Sequence, residues 1–221
     1  SFCLIASFTV SLLCGLIFIP MIVSFCIKKK LYDIPNARKV HKVVVPRLGG
    51  VCFMPCMAIS VLLAMVFFNT PTFSLTFSIN MWACFFFLGL LFIYAVGLVD
   101  DLVGLQPKTK FLVQIMAASL LPMANLYINN LYGFCGIYSI PFYIGAPLTV
   151  FVIVFVDNAM NLIDGIDGLS SGLSMVALLG FLYCFMCENM LVYGILISGL
   201  MGVLLAFMYF NIFGKPGQTK I

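Results

Sequence analysis

Charge is what this chain has least of. Only 8% of its 221 residues are charged, where soluble domains carry roughly a quarter. With 64% hydrophobic residues and a mean hydropathy of +1.21, a water-soluble core is excluded. Histidine occurs once, as His41, and tryptophan once, as Trp82. The nine cysteines find too few partners for a zinc set. Cys52 with Cys56, and Cys184 with Cys187, have helical spacing inside apolar runs, and His41 falls on the far side of the membrane from the second pair. Apolar filling explains them better than metal or disulfide chemistry. Nothing resembles a nucleic-acid module.

What is present is a set of long charge-free runs: residues 1–27, 48–99, 111–156 and 189–214. A membrane-spanning helix needs about 20 apolar residues, so the second and third runs can each hold two spans. The first is too long for a signal-peptide core and has no basic leader. The sequence therefore predicts an all-α, polytopic transmembrane bundle of about seven spans, near 3–27, 48–68, 81–99, 111–128, 142–160, 169–187 and 190–210, forming a single domain over 1–221. Segments 69–80 and 129–141 read as turns.

All eleven Lys and Arg residues fall on one side of this alternating map: Lys28 to Arg47 after the first span, Lys108 and Lys110 after the third, Lys215 and Lys220 after the seventh. Basic loops stay in the cytosol, so that side is expected to be cytosolic. The net charge of +4 then suits anionic headgroups and phosphates. Glu188 is the one charge expected on the opposite side.

Of seven acidic residues, five stand at the cytosolic ends of the third and fifth spans: Asp100, Asp101, Asp157, Asp164 and Asp167. A carboxylate deep in the bilayer costs about 2.5–3.5 kcal/mol even on the gentler scale. The adjacent carboxylates of Gly97-Leu98-Val99-Asp100-Asp101 repel unless a cation or a shared proton relieves them. The second cluster places Asn158, Asn161, Asp164 and Asp167 three residues apart. On an α-helix each such step drifts about 60°, so neighbours share a face, and a 3₁₀ turn would align them all. Gly165 and Gly168 let the backbone leave the helix near a ligand. Oxygen-only donors at this spacing suit magnesium and the polar edges of a nucleotide. In the basic loop, Arg38 and His41 can donate to phosphate oxygens, and Gly49 and Gly50 permit close approach at the start of the second span.

Three segments together resemble the polyprenyl-phosphate N-acetylhexosamine-1-phosphate transferases (glycosyltransferase family 4), which include phospho-N-acetylmuramoyl-pentapeptide transferase. They are Asp33-x-Pro35-x-x-Arg38-Lys39-x-His41 with Pro46-x-x-Gly49-Gly50; Gly97-x-x-Asp100-Asp101; and Asn158-x-x-Asn161-x-x-Asp164-Gly165-x-Asp167-Gly168-Leu169. The first looks more like the N-acetylglucosamine-type branch. The resemblance implies transfer of an N-acetylhexosamine-1-phosphate, GlcNAc-1-phosphate in that branch, from a UDP-sugar to polyprenyl (undecaprenyl) phosphate, with release of UMP, at the inner face of a bacterial plasma membrane. Such a product starts a surface polysaccharide.

The resemblance also implies magnesium, with manganese as a substitute. It makes Asp100 the residue that deprotonates or positions the lipid phosphate, with Asp101 in support. Asn158 and Asp164 are implied as metal ligands, Asn161 and Asp167 as nucleotide-sugar contacts, and Arg38, His41 and Lys108 as phosphate contacts. The implied partners are the polyprenyl phosphate, the UDP-N-acetylhexosamine and membrane lipids. Family members continue into a further Asp-containing stretch and a basic loop beyond the segment that ends here, so a fragment truncated at both ends, inactive by itself, is expected.

Two alternatives stay open: the muramoyl-pentapeptide transferase branch, and a secondary transporter, whose carboxylates would sit at mid-bilayer. Gly194, Ser198, Gly202 and Ala206 recur every four residues along the seventh span, a spacing that lets helices approach closely. Packing within the chain is favoured over a homodimer face.

Overall fold

The apolar runs fold as helices because the bilayer interior offers no water to backbone N–H and C=O groups, which must pair inside the segment. The computed structural model describes residues 2–33, 45–46, 48–68, 81–215 and 219–220. In chain order the helices are α1 (Phe2–Lys29), α2 (Phe53–Phe68, entered through a 3₁₀ turn at Gly49–Cys52), α3 (Met81–Val103), α4 (Pro107–Met123), α5 (Phe142–Ile163), α6 (Leu169–Cys187) and α7 (Leu191–Phe213). This is the all-helical membrane architecture expected from the sequence. One short antiparallel ladder accompanies it among the described residues: β1 (Tyr32–Asp33) pairs with β2 (Val45–Pro46), Tyr32 opposite Pro46 and Asp33 opposite Val45. That ladder pinches together the two ends of the basic loop. Arg38 and His41 lie outside the described residues, as does segment 69–80.

Six helices are long and apolar enough to cross a membrane among the described residues, which makes this a multi-pass membrane protein. The seventh, α4, has 17 residues, about 26 Å at 1.5 Å per residue. It starts and ends earlier than the expected 111–128. Pro107 occupies the first helical position, where a missing N–H costs nothing. At the other end Asn125 turns left-handed at φ 65°, and Leu126 N–H closes on Leu121 C=O at 3.0 Å, the long bond that ends many helices.

The chain divides into two units, Ser1–Phe77 with Ile163–Ile221, and Ser78–Leu162. In the first, α1 lies along α7. The buried residues of α1 are Cys3, Ser7, Ser11, Gly15, Ile19, Val23 and Cys26, nearly all four apart. They meet Gly194, Ser198, Gly202, Ala206 and Phe210 of α7, also buried and four apart. The small-residue stripe of the seventh span thus packs within the chain. A Cβ on Gly202 would stand 2.3 Å from the Phe8 carbonyl oxygen, so the backbones touch. The Ser7 hydroxyl donates to Ile195 C=O at 3.0 Å and lies 3.3 Å from Ser60 Oγ, tying α1 to α7 and α2. Cys52 and Cys56 fill the apolar cluster around Ile19, Val23, Val203 and Phe210.

In the second unit α3 and α4 form a helical hairpin joined by Gly104 to Gln106. The connection from α4 to α5 is irregular apart from one 3₁₀ turn at Phe134–Gly136, as expected of a turn segment. It is held at its base, where Ile128 N–H donates to Thr149 Oγ1 (2.8 Å) and Ile140 N–H to Asn129 C=O (2.8 Å).

Candidate active site

Asp100 ends α3 with both its backbone and its side chain. Gly104, left-handed at φ 74°, returns its N–H to the Asp100 carbonyl at 2.8 Å, the single-bond αL cap. The next amide, Leu105 N–H, donates to Asp100 Oδ1 at 2.8 Å, and Lys110 Nζ donates to Oδ2 at 3.2 Å. The carboxylate keeps 26% of its side-chain surface exposed, so it is held in place yet reachable. Asp101 follows it, partly buried. Lys108 is exposed at the start of α4, while Lys110, which carried no expected role, is the lysine that pairs with Asp100.

Further along the same unit, α4 and α5 are joined by a polar bridge in otherwise apolar surroundings. Gln114 Nε2 donates to Asp157 Oδ2 in a short contact. Asn158 Nδ2 donates to Gln114 Oε1 at 3.0 Å and to its own helix at Val154 C=O, 2.8 Å. Gln114 is only 6% exposed. Burying an amide without partners costs several kcal/mol, about 1–3 by protein mutational data; here each polar end has one. Asn161 lies beyond this bridge, exposed, near the end of α5.

Asn158 also lines an apolar groove of about 910 Å³ between α4 and α5, with Phe111, Ile115 and Pro122 on one wall and Pro147, Val150 and Val154 on the other. The groove runs along the span and passes the polar bridge at Asn158 before it ends at Phe111 and Leu162.

The expected helical series from Asn158 to Asp167 is not continuous. Asn158 and Asn161 are on α5, but α5 stops at Ile163, and Asp164 and Asp167 sit in the turn before α6. Gly168, left-handed at φ 76°, ends that turn and caps α6. Gly165 shows no such requirement; a Cβ there meets nothing within 4 Å. A Cβ on Gly50, at the entrance to α2, would likewise meet nothing within 4 Å.

In the first unit both carboxylates of this turn have a partner. Ser170 Oγ–H donates to Asp164 Oδ1 in a short contact, and Lys220 Nζ pairs with Asp167 Oδ2. Asn211, near the end of α7, accepts the Gly168 N–H at 2.6 Å.

Lys110, Gln114 and Asn211 were given no site role by sequence reasoning. The signal available for the last two was the cost of an amide inside an apolar run.

Known proteins resemble this chain over much of its length. Residues 82–216 match the family model described as Glycosyl transferase family 4. A probable undecaprenyl-phosphate N-acetylglucosaminyl 1-phosphate transferase of Bacillus subtilis is 33% identical over 183 residues, 79% of this chain and 46% of that protein. The decaprenyl-phosphate N-acetylglucosaminephosphotransferase of Mycolicibacterium smegmatis is 37% identical over 148 residues, 66% of this chain and 36% of the relative. A phospho-N-acetylmuramoyl-pentapeptide-transferase of Listeria monocytogenes is 31% identical over 228 residues, 94% of this chain and 67% of the relative. The chain thus spans about half the length, 46%, of the Bacillus relative.

Proposed function

Since the chain belongs to glycosyl transferase family 4, we propose that the intact protein transfers GlcNAc-1-phosphate from UDP-GlcNAc to a polyprenyl phosphate, undecaprenyl phosphate in bacteria, and releases UMP at the cytosolic face of the plasma membrane. The observation that carries this reading is the groove of about 910 Å³ along α4 and α5: its lining is largely apolar, and Asn158 puts an amide into it one turn short of its end at Leu162. An acceptor with a phosphate head and a hydrocarbon tail matches that combination, and a soluble acceptor does not. The two N-acetylglucosamine-type relatives are named for such acceptors. Basic residues at one end of the alternating spans support the cytosolic side.

In the reaction a lipid-phosphate oxygen forms a bond to the sugar-bearing phosphorus. The bond from that phosphorus to the bridging oxygen breaks, and UMP leaves with the oxygen. Asp100, locked by Leu105 N–H, orients the lipid phosphate and takes its remaining proton, with Asp101 beside it. Lys110, paired with Asp100 through partly exposed groups, exchanges that contact readily for a phosphate oxygen, because such pairs are worth under about 1 kcal/mol. Lys108 adds positive potential at the helix start. Asn161 and Asp167 contact the nucleotide-sugar, and Arg38 and His41 of the basic loop hold phosphate oxygens.

The donor chemistry fits magnesium, or manganese in its place. Asn158 Oδ1 receives no hydrogen bond from any described residue, and Asp164 supplies a carboxylate in an exposed turn. The described residues gather no group of three His, Cys, Asp or Glu. Magnesium asks a protein for only one or two carboxylates and takes its other oxygens from water and phosphates. The ion supplies neutralisation of charge on the diphosphate.

Membranes holding the intact protein, given UDP-GlcNAc and undecaprenyl phosphate, should release UMP and form a lipid-linked pyrophosphoryl sugar. The wide match to the Listeria muramoyl-pentapeptide relative favours one second reading, which turnover of UDP-MurNAc-pentapeptide in place of UDP-GlcNAc would establish.

A further inference from the structure

We infer that Gln114 is a positioning residue: it fixes which end of the Asn158 amide faces outward, presenting Oδ1 as an acceptor for a cation or a hydrogen-bond donor of the substrate. The role toward substrate rests on the proposed transfer reaction; the hydrogen-bond relay does not.

The direction of the relay starts at Asp157. Gln114 Nε2 donates to Asp157 Oδ2, so the NH2 of the glutamine faces the carboxyl group. A flipped glutamine would set its carbonyl oxygen against Asp157 Oδ2. Gln114 Oε1 is thereby turned to Asn158 and can only accept, so Asn158 must offer its own NH2 there, at 3.0 Å. The second hydrogen of that NH2 goes to Val154 C=O at 2.8 Å. Both donors of the asparagine amide are then spent, and its oxygen is left as the free end.

Burial makes this choice stick. At 6% exposure, Gln114 has no water to replace either partner, so rotating one amide would break the others. A leucine would fill the same place in α4 without needing partners. The bridge also spans two helices, so the outward oxygen is referenced to α4 as well as to its own helix.

The test uses the intact protein and the variants Gln114→Met, Gln114→Glu, Asp157→Asn and the double variant Gln114→Glu/Asp157→Asn, assayed at alkaline pH so that no proton is shared between facing carboxyls. The double variant exchanges the chemistry but keeps the polarity. Asn at 157 donates to the new carboxylate, which still accepts from Asn158. Two quantities are read: melting temperature in detergent, and kcat and KM for transfer from UDP-GlcNAc to undecaprenyl phosphate.

Gln114→Met and Gln114→Glu are expected to lose about ten- to a hundredfold in kcat/KM, the usual range for partners that orient a site residue. The double variant is expected to recover most of that loss along with the melting temperature. Wild-type transfer by Gln114→Met would overturn the inference. Recovery of melting temperature without transfer in the double variant would also overturn it, leaving Gln114 a purely structural bridge. If the parent protein turned over no UDP-sugar, the proposed reaction would fall by itself, and the melting cycle would still decide the relay: coupling between positions 114 and 157 sustains it, additivity overturns it.

Discussion

The side-chain oxygen of Asn211, two residues before the end of α7, accepts the backbone N–H of Gly168 at 2.6 Å. One hydrogen bond thus ties α7 to the acidic turn that carries Asp164 and Asp167. An α-helix leaves its first N–H groups without internal partners, and Gly168 caps α6 with no side-chain bond of its own. Asn211 supplies the missing acceptor from a different helix.

Asn211→Leu should therefore cost about 1–3 kcal/mol, the range for leaving a partly buried donor unpaired. Detergent melting curves of the intact protein should show a clear drop, with Asn211→Asp, which keeps the acceptor, losing less.

Gly168 and Gly165 should differ when each is changed to Ala. Gly168 has φ 76° and a Cβ there would meet Ile212 Cδ1 at 2.7 Å, so both strain and crowding oppose the methyl. A left-handed L-residue alone costs about 1–2 kcal/mol. Gly165→Ala meets open space and should melt with the parent protein.

Gly202→Val should be among the most damaging single changes in α7. Its Cβ would meet Phe8 O at 2.3 Å and Leu12 N at 2.9 Å, both backbone atoms that cannot swing aside. Overpacking of this kind costs about 1–3 kcal/mol. Gly180→Ala on α6, where nothing lies within 4 Å, is the matched control and should leave the melting temperature unchanged or slightly higher.

The span pattern was legible because charge-free runs are long and the bilayer permits little besides helix there. The α7 stripe was legible by its spacing, and so in principle was its mate Ser7, Ser11 and Gly15, which faces it from α1. Boundaries followed local chemistry instead. Pro107 started α4 early, and α5 ended at Ile163, inside the Asn/Asp series whose three-residue spacing suggested neighbouring positions on a helix. Gln114 and Asn211 were not legible as site residues, since a single amide in an apolar run declares its cost but not its partner. That partner is set by which helices meet, and here Gln114 is answered from α5 and Asn211 from the turn before α6.

Lys110→Met and Lys108→Met should separate two uses of positive charge. Lys110 reaches Asp100 Oδ2 at 3.2 Å, whereas Lys108 is exposed. Loss of Lys110 should lower kcat/KM by about tenfold or more, as loss of an orienting partner does, with little change in melting because so accessible a pair adds under about 1 kcal/mol. Loss of Lys108 should have the smaller effect, and added salt should shrink it.

The most direct measurement is UMP release by membranes carrying the intact protein, or its Asp100→Asn or Asp164→Asn variant, with UDP-GlcNAc and undecaprenyl phosphate supplied. Both variants leave size and shape nearly unchanged while removing one negative oxygen. UMP should appear with the parent protein and fall to background with either variant, although both remain inserted and folded. Undiminished release from either one would contradict the roles given to these carboxylates.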